Sequence, residues 1–258
     1  MRKTFLSAFL MLAAAFAAQA QNIALKVNVF EELLRQAQSM PIDNAKMILG
    51  STMNALGKNP KDYRKAVELA ERRLGNPADS LHNEELYIAL LENITSDYVL
   101  SSNEKIRPTL LLQNARKNRI GTVATDIDFV TRDGKKQTLY EISSPLTLIL
   151  FNDAECEACE LVLNRLENSK TINSLIDSGK LTLLTINTGN NKSAWNKKAY
   201  PPKAINGWNK SGSIDEKGLY DLPSTPLFYL LDNDKKVLLK NEPSLNAVEK
   251  RLQREERQ

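Results

Sequence analysis

Histidine and cysteine are nearly absent: the 258 residues hold one of the first, His82, and two of the second, Cys156 and Cys159. A structural zinc site needs about four ligands, so this scarcity excludes one. It also excludes a serine or cysteine hydrolase, whose nucleophile needs a histidine close by. His82 reads as a surface residue near a helix start. There is no glycine-rich phosphate loop and no nucleotide or flavin motif, so no cofactor is expected. The formal net charge is only +4, and setting aside the basic start of the chain lowers it by two. That surplus is too small for a nucleic-acid or membrane-surface binder.

Long apolar runs are missing too. The longest, Phe5 to Ala17, falls short of the ~20 residues that cross a hydrocarbon core. It follows Arg2 and Lys3 and precedes Ala18-Gln19-Ala20, the layout of a signal peptide over 1–20. Cleavage near Ala20 is expected, giving a periplasmic or secreted protein with no stable membrane insertion.

What remains exceeds the ~100–200 residues typical of one domain. Residues 21–118 carry helical periodicity. The clearest stripe runs from Asn59 to Gly75, where Asn59 caps, Pro60 opens the helix and Tyr63, Ala66, Val67, Ala70 and Leu74 share one face. Further helices are expected over Val27–Gln38, Asp43–Leu56, Ser80–Ile94 and Glu104–Arg116, the last with Pro108 in its first turn.

Residues 119–258 change period. Ile127–Thr131 and Gln137–Tyr140 flank the turn Asp133-Gly134 as a strand pair. The apolar run Leu146–Phe151 reads as a buried strand feeding a helix that reaches Leu166, with Ala158, Leu161, Val162 and Leu166 on one side. A helix over Thr171–Asp177, a strand over Leu181–Ile186, a hairpin of Leu227–Leu231 with Val237–Lys240, and a helix over Ser244–Arg254 complete the set. The Lys-rich connection Thr188–Ser213 reads either as a solvated loop with its aromatics tucked into the core or as a rim that selects a partner.

Two cysteines three apart make a poor staple, since loop-closure stabilisation grows with loop length. In an exported chain they point to redox chemistry. Cys156 follows a buried strand and opens a helix, where unpaired N–H groups favour a thiolate. Cys159, one turn on and less exposed, suits the resolving role.

The motif Cys156-Glu157-Ala158-Cys159 after a strand, with Thr225-Pro226 just before a later strand, resembles the thioredoxin superfamily. Gly121–Leu139 and the hairpin Asp232–Lys240 look most like its TlpA-like periplasmic branch. The resemblance implies an α/β thioredoxin-like domain over 119–258, a central mixed sheet flanked by helices. It also implies a cis-proline at Pro226 beside the cysteines and substrate-binding backbone groups at Thr225. Asn76-Pro77, Asn83–Tyr87 and Tyr220-Asp221 resemble bacterial secreted proteins in which an all-α domain of unknown function, here 21–118, precedes such a domain. The resemblance also implies disulfide-containing exported proteins as substrates and a membrane-bound electron donor.

The chain departs from that pattern. Glu155 replaces a common tryptophan, and Leu150 stands where thioredoxin itself has a buried aspartate. Asp153 is then the nearest polar candidate to assist Cys159, although a solvated loop carboxylate is the plainer reading. Asp153, Glu155, Glu157 and Glu160 crowd the nucleophile with no base nearby in sequence, which disfavours a thiolate and predicts a reducing couple. The function expected is an exported reductase or isomerase of disulfides. Two rivals are a non-catalytic binding or assembly module and, with less support, a peroxidase; the latter lacks the Pro-x-x-x-Thr/Ser-x-x-Cys pattern.

Overall fold

The computed structural model describes residues 28–77 and 79–256; the signal segment read at 1–20 lies outside them. The chain divides into two compact units between Ala115 and Arg116.

The first unit is all-helical. Its described residues open in α1 (28–37), followed by α2 (Ile42–Leu56), α3 (Pro60–Leu74), α4 (Glu84–Ser96) and α5 (Ser102–Ala115). Asn59 caps α3 through its side chain and Pro60 occupies the first turn, where a missing N–H costs nothing. Phe30, Leu34, Leu49, Met53, Leu69, Leu86, Leu90 and Ile94 are among the side chains that fill the core between the helices.

Two helix starts differ from expectation. α4 begins at Glu84 rather than Ser80, because Asn83 accepts the Leu86 N–H. The residues before it form a turn in which Asp79 accepts the Leu81 N–H and pairs with Arg73 at 2.6 Å. α5 begins earlier than Glu104, so Pro108 sits inside the helix and not in its first turn. Ser101 and Glu104 form the start: the Glu104 carboxylate accepts the Ser101 N–H at 2.9 Å, and the Glu104 N–H reaches Ser101 Oγ at 3.4 Å. This reciprocal Ser-x-x-Glu pairing is a capping box.

The second unit is a seven-stranded mixed sheet with helices: β1 (Asp128–Thr131), β2 (Lys136–Thr138), β3 (Leu146–Asn152), α6 (Glu157–Glu167), α7 (Lys170–Asp177), β4 (Leu181–Asn187), α8 (Lys192–Lys197), β5 (Ile205–Trp208), α9 (Ser213–Glu216), β6 (Leu227–Leu231), β7 (Val237–Glu242) and α10 (Leu245–Glu255). The strands lie in the order β2-β1-β5-β4-β3-β6-β7. β3 runs parallel to β4 and antiparallel to β6.

Because successive strand residues face opposite ways, β3 serves two cores. Leu148 and Leu150 join Leu163, Leu166, Ile172, Leu175, Val248 and Leu252 of α6, α7 and α10 on one side. Ile149 and Phe151 join Leu184, Ile186, Ile214, Tyr220 and Tyr229 on the other. Leu150 is thus an apolar core residue on the face that carries α6.

Three further expectations are corrected. The second strand ends at Thr138, and Leu139–Glu141 turns as a 3-10 helix. On α6 the buried face is Cys159, Leu163 and Leu166, spaced at helical intervals; Ala158 faces solvent and Leu161 is 67% exposed. The connection after β4 is not a plain loop, since it contributes α8 and β5, and β5 pairs with both β4 and β1. Gly207 lets β5 sit there, for a Cβ on it would lie 2.6 Å from Phe129 and 2.8 Å from Ile186. Among the described residues no helix is long and apolar enough to cross a membrane.

Candidate active site

The register of β3 on β6 pairs Phe151 with Leu227. The turn leaving β3 therefore lies beside the residues entering β6, which brings the Cys156 motif and Thr225 together. Cys156 is the N-cap of α6, and its Sγ accepts the Cys159 N–H at 3.1 Å. The same sulfur donates to the Thr225 carbonyl oxygen at 3.7 Å. The Thr225–Pro226 peptide bond is cis. Of the four residues singled out from the sequence, three touch and the fourth adjoins them.

The two thiols differ in environment. Cys156 is half-buried at the start of α6, its sulfur facing the Cys159 N–H. Cys159 is 0% exposed, and burial pushes its thiol up to about 11. The Asp153 main-chain N–H and the Thr225 hydroxyl act against that rise, while Cys156 adds to it. An accessible sulfur thus sits beside a hidden, protonated one, the division of labour that exchange requires.

The turn between β3 and α6 is held by amide side chains. Ala154 N–H donates to Asn187 Oδ1 at 2.8 Å, and Asn152, fully buried at the end of β3, donates to the Ile186 carbonyl at 3.1 Å. Asp153 is half-buried: its carboxylate accepts the Glu155 N–H at 2.8 Å and presses on Gly189, where a Cβ would lie 2.7 Å from it. Its carboxylate orders the turn and is no plain solvated loop group.

Folding also supplies a base that sequence distance hid. Lys198 Nζ stands 2.9 Å from Glu160 Oε2, and Asn191 donates to Glu155 at 2.9 Å. Arg132 donates to the carbonyl oxygens of Trp195 (2.8 Å) and Lys198 and lies over the Tyr200 ring at 5.1 Å. Tyr200 Oη donates to Asn152 Oδ1 at 2.9 Å. Trp195 is buried 5.8 Å from Trp208, whose indole N–H donates to the Gly189 carbonyl at 2.9 Å. The Lys-rich connection is therefore seated on the cysteine turn. The available signal for Lys198, Tyr200 and Asn152 was the clustering of aromatics in a polar segment and an Asn-Asp pair closing an apolar run.

Residues 15–118 match a family described as a domain of unknown function, DUF5106. Comparison with curated proteins returned no match. Among solved structures, the C-terminal domain of an uncharacterized protein from Bacteroides fragilis is 36% identical, with 53% of this chain and 98% of that one covered and a TM-score of 0.51. A thioredoxin-like protein from Bacteroides caccae is 31% identical, with 89% of this chain and 83% of that one covered and a TM-score of 0.81. Likeness on that scale reaches well beyond the cysteine motif, and with it the chain belongs to the thioredoxin superfamily.

Proposed function

We propose that the protein is an exported thiol-disulfide oxidoreductase, a reductase or isomerase acting on disulfides of other exported proteins. The observation that carries this reading is the pairing of the half-exposed Cys156 Sγ at a helix N-terminus with the buried thiol of Cys159. In the forward direction the Cys156 thiolate attacks one sulfur of a substrate disulfide; the other leaves as a thiolate and takes a proton from water. Cys159 then gives up its proton, attacks Cys156 Sγ and releases the second substrate thiol. Two electrons pass from the cysteine pair to the substrate, and a membrane-bound dithiol donor restores the pair. Cys156 is the nucleophile, Cys159 the resolving thiol, and Thr225 and Pro226 line the substrate chain.

Cys159→Ser should accumulate mixed disulfides with envelope proteins, whereas Cys156→Ser should not. Equilibration with graded redox buffers sets the direction: a potential near roughly −270 mV supports a reductase, and one near roughly −120 mV an oxidase. A couple that never exchanges would leave the binding-module reading in its place.

A further inference from the structure

The edge strand β7 reaches back to the segment that carries Thr225. In its pairing with β6, Phe228 lies opposite Glu242 and Leu230 opposite Leu239, so the single residue Tyr229 faces two, Lys240 and Asn241. Such a bulge bends its strand and re-aims a side chain. Asn241 is left-handed there, with φ 52°, a region that asparagine enters more readily than most residues. Its amide N–H donates to the Asp221 carboxylate at 3.2 Å, and its amide oxygen accepts the Tyr229 hydroxyl at 2.5 Å. That hydroxyl also stands 3.4 Å from the Asp221 main-chain carbonyl. The Tyr229 ring is itself fully buried against Phe151 and Tyr220. Asp221 opens the segment 221–226, in which Pro223 and Ser224 are exposed. Near its end the Thr225 carbonyl oxygen accepts Cys156 Sγ at 3.7 Å, just before β6 begins at Leu227.

We propose that Asn241 is a positioning residue for docking of the substrate chain, acting through Asp221 on the segment that presents Thr225 beside Cys156. The inference rests on the exchange reading above, in which Thr225 and Pro226 line the substrate chain, and deepens it. Asn241 and Tyr229 grip the segment at its first residue, through both the side chain and the main chain of Asp221. Its far end is set by the sheet, where Leu227 pairs with Phe151. Slackening the first grip lets the Thr225 backbone stray, which weakens the hold on any chain that must lie along it. The nucleophile's own turn is held by bonds that the segment does not share: the Cys156 N–H donates to the Asp153 carbonyl at 3.2 Å, and Sγ accepts the Cys159 N–H at 3.1 Å. A reacting thiolate has no proton to give the Thr225 carbonyl. Attack on a disulfide with no chain to dock should therefore keep its rate.

The test uses the full chain, reduced, and two mixed disulfides with the same leaving group: thionitrobenzoate joined to mercaptoethanol, or to the single cysteine of a short unstructured peptide. In each, Cys156 bonds to the carrier sulfur and the coloured thiolate leaves, since the sulfur of lower pKa leaves faster; the Cys156 proton passes to solvent. Cys159 then bonds to Cys156 Sγ, and the carrier thiol leaves with the proton that Cys159 gives up. Two electrons pass from the cysteine pair to the reagent. Asn241→Asp keeps the acceptor for Tyr229 but sets a carboxylate against Asp221. It should raise the half-saturating concentration of the peptide reagent about fivefold, the factor one net hydrogen bond is worth. The maximal rate, and the rate with the small reagent, should not change. Asn241→Gly, which tolerates the left-handed turn, should give the same selective rise. Adding Asp221→Asn to N241D reverses donor and acceptor and should bring the half-saturation back to within about twofold of the unsubstituted protein. An unchanged half-saturation in folded N241D, or no recovery in the double variant, would overturn the proposal. Equal slowing with both reagents, or loss of the folded circular-dichroism signal in both single variants, would make the contacts merely structural and overturn it as well. If the unsubstituted protein releases no coloured thiolate from either reagent, the exchange reading falls, and the proposal with it.

Discussion

Lys198→Met should slow alkylation of Cys156. The Lys198 ammonium, 14% exposed, pairs with Glu160, 61% exposed, and Glu160 lies four residues after the nucleophile on the α6 side. Methionine keeps most of the apolar stem and removes the charge. Helical neighbours at that spacing stand ~5–6 Å apart at Cβ. An uncompensated unit charge ~6 Å away in a water-like dielectric is worth about 0.7 kcal/mol, a factor of about three in the thiolate population. Physiological salt, with a screening length of about 8 Å, cuts that to roughly twofold. The assay is the iodoacetamide trapping rate of Cys156 at neutral pH, read by intact mass in low salt and again in 1 M salt. K198M should react about threefold more slowly in low salt, with the gap closing in high salt; Glu160→Gln should remove the effect of K198M. A folded K198M that reacts at the unsubstituted rate in low salt would refute the argument that this ion pair shields the nucleophile.

Three other outcomes follow from the geometry. Gly189→Ala drives a Cβ to within 2.7 Å of the Asp153 carboxylate, so a loss of about 1–3 kcal/mol is expected in urea unfolding, together with slower disulfide exchange. Pro108→Ala restores an N–H inside α5; after the loss of some ring packing, thermal unfolding of the helical unit should report a gain of about 1–2 kcal/mol. The Arg64 and Ser101 hydrogen bonds hold the Glu104 carboxyl down at about 2, against an ordinary value of 4.5. That carboxylate favours folding above its ordinary value and loses its effect as the pH falls toward about 2. Glu104→Gln should therefore flatten the acid limb of a circular-dichroism titration over that interval, and an unchanged limb would remove the assignment.

The parts of the fold that read directly from sequence were those set by one strong local signal. Leu146–Phe151 is apolar on both faces because β3 serves two cores, and Asn59-Pro60 with Gly75 frames α3 from both ends. β5 stayed hidden because its four residues include Gly207, whose missing side chain matters only through contact with Phe129 and Ile186. Pro108 misled because the Ser101-Glu104 box lies upstream and outweighs it as a start signal. At the site, Cys156 and Cys159 lie three apart in sequence and were legible. Lys198 and Tyr200 act on residues 38 and 48 positions away, a relation that only the parallel β3–β4 crossover and the seated connection create.

The chain has two tryptophans, and both, Trp195 and Trp208, belong to the segment lying on the cysteine turn, 5.8 Å from each other. Intrinsic indole emission is thus a private channel for that segment, and the helical unit contributes none of it. Titrating the protein from dithiol to disulfide while recording emission reads the surroundings of the active turn without any attached label. Comparing the emission melt with the far-ultraviolet melt separates the unfolding of the thioredoxin-like unit from that of the helical unit in one intact molecule.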